Sequence, residues 1–188
     1  MARVKLNPVL DAIHGKVGDL VFRTFNHGDF VGKIPDRTGV VPSTDQLAQM
    51  EKFRLAVLYG KSVMADAVTK QIYTDAAARK GQPVFALTVG DFLNEPAVDE
   101  VDVSAYSGKT GDAIRVRASD DVEVKGVAEV IKAQDGSVLE EGAATWSAAT
   151  ATWTYTATTN LAQGQSVSIE VTATDLAGHT GSRTQSKN

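Results

Sequence analysis

Cysteine is absent from this chain of 188 residues. Disulfides, thiolate metal sites and cysteine nucleophiles are thereby excluded, and the redox compartment cannot be read. Long apolar runs are missing too: no segment reaches the roughly 18 residues that a membrane-spanning helix needs. The amino terminus, Met1-Ala2-Arg3-Val4-Lys5-Leu6-Asn7-Pro8-Val9-Leu10-Asp11, has no apolar core segment or cleavage site of a secretory leader. A protein that stays in the cell, or that belongs to a released particle, is the expectation. The three histidines, His14, His27 and His179, lack metal-ligand spacing. No G-x-S-x-G nucleophile motif occurs. Neither catalysis nor a cofactor is expected.

Charge is present but uneven. Residues 1–81 hold 12 Lys/Arg and 8 Asp/Glu, an excess of +4; the other 107 hold 7 and 15, an excess of −8. A change of sign between halves suggests two modules and permits attraction between copies. In the first half, Leu20 to Phe25 and Phe30 to Ile34 read as the strands of a β-hairpin, with Asn26-His27-Gly28-Asp29 as its turn. Ser43 and Gln46 have the spacing of a capping box. Leu47, Met50, Phe53 and Val57 then form one apolar helical stripe, which Gly60 is expected to end. A second helix is predicted from about Asp66 to Lys80, with Val68 and Ile72 on one face and Gly81 as its carboxyl-terminal stop. Val84 to Val89 reads as a short strand. The first 95 residues are therefore expected to be an α+β module of hairpin, two helices and strand. A two-stranded sheet is marginal alone, so this module should need a second surface to cover it.

After Pro96 the pattern changes to strands with turns every 8–12 residues, the signal of an all-β domain. Strands are predicted near 98–103, 113–118, 125–133, 137–142, 151–158, 166–173 and 180–186. Thr152, Thr154, Thr156 and Thr158 alternate with Ala151, Trp153, Tyr155 and Ala157, which places the aromatics on the core face. Three stretches here resemble bacterial Ig-like domains of the cadherin/fibronectin-III kind: Gly111 through Asp121, Trp153-Thr154-Tyr155-Thr156, and Val171 through His179. The last is similar to the A-x-D-x-A-G-N ending of that family, with His179 in place of Asn. The resemblance covers 96–188 and implies an Ig-like sandwich of about seven strands. Gly15-Lys16-Val17-Gly18-Asp19-Leu20-Val21, with the helix from Gln46 through Ala56, resembles a group of small bacterial proteins that open with a G-K-V-G hairpin. That likeness implies no activity.

Ser107-Gly108-Lys109-Thr110 invites comparison with a phosphate loop, but Val103 stands where a glycine is needed and a strand follows. Gly15-Lys16-Val17-Gly18 spells the G-x-x-G of single-strand-binding loops, yet precedes a strand rather than joining helices. Arg3, Lys5, Lys16, Arg23, Lys33 and Arg37 accompany Phe22, Phe25 and Phe30, a basic and aromatic composition that nucleic acid could use. Nucleic acid is the weakest of three functional readings. The favoured expectation is a non-catalytic structural or assembly protein, a homo-oligomer or part of a larger protein assembly. Its interface would be Phe22, Phe25, Phe30, Arg23 and Lys33. The second reading is carbohydrate or cell-surface binding through a loop bearing Trp146. Asp120, Asp121 and Asp175 are the only candidate calcium ligands, with turn stabilisation as the alternative role.

Overall fold

The structure is a computed structural model. It describes residues 2–4, 15–25, 28–36, 38–162 and 164–187, of which 2–4 as backbone only. The chain divides into two compact units, Met1–Thr44 and Asp45–Asn188. His14, Asn26, His27, Lys5 and Arg37 lie outside the described residues.

The first unit is a four-stranded antiparallel sheet of order β1-β4-β3-β2. Its strands are β1 (Ala2–Val4), β2 (Gly15–Val17), β3 (Leu20–Phe25) and β4 (Gly28–Lys33). The expected hairpin is β3–β4. The sheet is larger than expected because Gly15-Lys16-Val17 pairs back on β3. Gly18, at φ 59, makes the two-residue turn between them.

The second unit begins with three helices, α1 (Thr44–Ala65), α2 (Ala67–Lys80) and α3 (Val84–Leu93). Asp66 caps α2 by accepting from the Thr69 amide at 2.8 Å, and Gly81 ends it in the left-handed region. Val68 is exposed, and α2 instead buries Tyr73, Ala76 and Ala77. Two expectations are corrected. Gly60 does not end α1. It lies within the helix, where an added Cβ would stand 2.8 Å from Thr88 Oγ1 and 2.9 Å from Phe85, so it permits close approach of α3. The run Val84–Val89 is not a strand but the first part of α3. Short apolar runs do not separate buried helix from strand by period. Here the run extends to ten residues, and Pro83 suits the helix start.

The sandwich follows. One sheet has the order β5-β6-β10-β9 and the other β12-β11-β7-β8. The strands are β5 (Ala97–Asp102), β6 (Ala113–Ser119), β7 (Val124–Ala133), β8 (Val138–Ala143), β9 (Thr145–Ser147), β10 (Thr152–Thr156), β11 (Val167–Asp175) and β12 (Thr180–Lys187). Seven match the predicted strands in place. The eighth, β9, is three residues long and gave no alternation to read. Ile114 and Val116 from one sheet meet Val127, Ile131, Ile169 and Val171 from the other. Tyr155 is buried with them, as its period predicted. Val63, Tyr73, Ala76, Ala77 and Leu87 of the helices form a second core, against which Val122 and Leu176 of the sandwich pack.

Candidate functional site

In the amino-terminal sheet, Phe22 faces Val31 and Arg23 faces Phe30 in register. Side chains alternate across a strand, so the five expected interface residues divide between two faces. Arg23, Phe25 and Phe30 share one, where Phe25 and Phe30 stack edge-to-face at 5.5 Å. Phe22 and Lys33 belong to the other, with Val17, Leu20 and Val31 in register beside them. That second face is a continuous apolar strip across β2, β3 and β4. Among its described residues the sheet buries no side chain.

A comparable surface occurs on α1. Every residue from Thr44 to Leu55 is exposed, and the helix first buries a side chain at Ala56. Leu47, Met50 and Phe53 of the predicted stripe are 52%, 62% and 51% exposed. The apolar stripe is therefore present, and no element of its own unit covers it.

The acidic residues have distinct settings. Asp121 pairs with Lys80 at 3.1 Å and accepts from Asn94 at 2.6 Å. Asp120 accepts from the Val122 amide, and fully buried Asp175 from the His179 amide at 2.7 Å. The Asp120 and Asp175 contacts stabilise turns, whereas those of Asp121 tie its loop to the end of α2 and to the residue after α3. Asp91 lies close to Asp120 and Asp175. Asp91 is fully buried in α3 and accepts a short hydrogen bond from Tyr73, whose hydroxyl meets that of Tyr59 at 2.9 Å. Burial pushes the Asp91 carboxyl up to about 7; the Tyr73 hydrogen bond opposes this, and Asp120 and Asp175 add to it. Among the described residues, no group of three His, Cys, Asp or Glu side chains is arranged to hold a metal ion.

A second acid pair lies inside the sandwich. Glu140 ionises easily despite its burial, because hydrogen bonds from Tyr155, Thr158 and Thr159 hold its carboxyl below the usual value. Glu129 is also fully buried, but neither of its oxygens has a hydrogen-bond partner. Burial, with the nearby Glu140 charge, pushes it up to about 8, so it is neutral at pH 7.

The loop at Ser107–Thr110 is a turn between strands. The amides of Ser107 and Lys109 donate to Asp112 at 2.7 and 2.9 Å, and the Thr110 amide donates to Asn160 at 2.9 Å. The donors a phosphate would need are committed within the chain.

A cleft with aromatic walls lies at one side of the sandwich. Trp146 on edge strand β9 is directly opposite Trp153 on β10. Their ring centroids are 5.4 Å apart and the planes inclined at 52°. With Val124 they line a cleft of about 430 Å³, whose lining also includes Ser119, Asp120, Glu123 and Lys125.

No protein-family model matches this chain, and no curated protein does. Among solved structures it is similar to CopC from Methylosinus trichosporium OB3b, at 20% identity and a TM-score of 0.36 over 49% of this chain and 90% of that one. It is similar also to an engineered protein, at 25% identity and a TM-score of 0.36, over 49% of this chain and 19% of that one. The β-sandwich is read from the strand pairing of the chain itself.

Of the residues the sequence put forward, Trp146 gains a partner and a cavity. Phe22 is separated from Phe25 and Phe30, and Asp121 is engaged elsewhere than Asp120 and Asp175. Glu129 had a legible signal: it sits at an inward position between Val127 and Ile131 in a period-two strand. Asp91 had none, because its burial depends on where α3 packs.

Proposed function

We propose that this chain is a non-catalytic structural subunit, built on an Ig-like sandwich, that associates with a second copy of itself. The observation that supports it is a pair of apolar surfaces that their own units leave partly or fully exposed. One is the strip of Val17, Leu20, Phe22 and Val31 on a sheet with no buried side chain among its described residues. The other is the Leu47–Met50–Phe53 face of α1. The exposed part of α1 is 12 residues, about 18 Å at 1.5 Å per residue. A surface of that length, rimmed by polar side chains, is a common mark of protein contact. A second copy fits because each chain offers both surfaces, and a two-fold arrangement buries each kind twice. The opposite charge of the two halves favours the same encounter.

Size-exclusion chromatography with light scattering over a wide concentration range is the test. Dimers or larger species should form as concentration rises. Leu47→Ser with Met50→Ser, or Phe22→Ser alone, should shift the distribution towards monomer. A strict monomer at every concentration, unaffected by salt, would overturn the proposal.

A further inference from the structure

We infer that the cleft beneath Trp146 and Trp153 is a binding site for a neutral pyranose glycan. The inference is independent of self-association, because it rests on a different part of the chain. Both tryptophans of the sequence line this one cleft. Trp146 remains 49% exposed although it stacks on Trp153. A buried tryptophan pair that served packing alone would leave less of its surface in water. The planes are inclined at 52°, so the two rings are not closed face to face, and about half of Trp146 stays open to solvent.

The chemistry of the lining narrows the ligand. Tryptophan faces carry partial negative charge and attract the slightly positive C–H groups on the apolar side of a pyranose ring. The rim then supplies what hydroxyl groups need. The Glu123 carboxylate accepts hydrogen bonds, the Lys125 ammonium donates them, and the Ser119 hydroxyl, whose proton goes to Asp99 at 3.1 Å, accepts them. Apolar walls with a few polar groups are the usual composition of a small-molecule cleft, and about 430 Å³ lies within the usual range of about 300–1,000 Å³. Asp120 and Glu123 together outweigh Lys125 in charge, so the lining offers no excess of positive charge to a phosphate or nucleotide. A proline-rich peptide would also stack on tryptophan, but it has few groups to engage three polar side chains at the rim.

Intrinsic tryptophan emission reports this cleft, since the chain has no tryptophan elsewhere. The full chain is titrated with oligomers of glucose, galactose, mannose and N-acetylglucosamine, and separately with a polyproline peptide. At least one glycan should give a saturable change, with calorimetry giving the same affinity. Trp146→Ala should weaken that affinity about tenfold or more, the scale of one lost aromatic contact, in protein that is still folded. Trp146→Phe should keep most of it, and Glu123→Gln should weaken it without touching the aromatic wall. Folded wild-type protein that saturates with none of these glycans would overturn the inference. So would saturation by the polyproline peptide alone, or equal glycan affinity in folded Trp146→Ala.

Discussion

Glu129→Gln tests the electrostatics of the sandwich core. Glu129 is fully buried, its two oxygens have no hydrogen-bond partner, and burial with Glu140 nearby pushes its carboxyl from an ordinary 4.5 up to about 8. The folded value lies above the unfolded one, so the fold holds this proton more tightly. Stability from the group is complete below about 4.5 and is lost as pH rises through about 8. At ~1.36 kcal/mol per pH unit the full loss is about 5 kcal/mol. That is large beside a typical total of about 5–15 kcal/mol. Glutamine has nearly the same shape and does not ionise. Urea unfolding of both proteins at intervals from pH 5 to 9.5 separates this group from all others, because their titration cancels in the difference. The variant should lie within about 1 kcal/mol of wild type at pH 5, since either side chain is a neutral group with unmet hydrogen bonds. At pH 9 it should be the more stable by several kcal/mol. Parallel stability curves, or a wild type that gains on the variant as pH rises, would refute the reasoning.

Two further substitutions probe the packing. An alanine Cβ at Gly181 would stand 1.7 Å from the Pro96 carbonyl oxygen, a backbone atom that cannot rotate away. Gly181→Ala should cost about 3 kcal/mol or more, read as a lower thermal midpoint in calorimetry; an unchanged midpoint would mean that β12 and the start of β5 do not approach in this way. Tyr73→Phe removes the hydroxyl that donates to buried Asp91 and should cost about 1–3 kcal/mol. That hydrogen bond serves the carboxylate, and Asp91 loses its proton through about pH 7. The loss should therefore be greater at pH 8 than at pH 5, and an equal loss at both would place Asp91 outside this network.

Local features of this chain were legible in its sequence because they depend on neighbours along the chain. The helix predicted from about Asp66 to Lys80 is α2, and Gly81 marked its end through the left-handed conformation that glycine tolerates. Alternation in Ile114-Arg115-Val116 and Val167-Ser168-Ile169 placed β6 and β11 and chose their buried faces. The absence of cysteine and of a long apolar run was final on sight. Tertiary structure decided what depends on distant partners. Val84–Leu93 is a helix whose Phe85 and Thr88 lie close against Gly60 of α1, a proximity that no local pattern announces. Register put Phe22 on one face and Phe25 with Phe30 on the other. It also set Trp146 opposite Trp153, across a strand too short to carry a pattern. The buried carboxyls of Asp91 and Glu129 belong to the same class, since a side chain's desolvation is fixed by what folds over it.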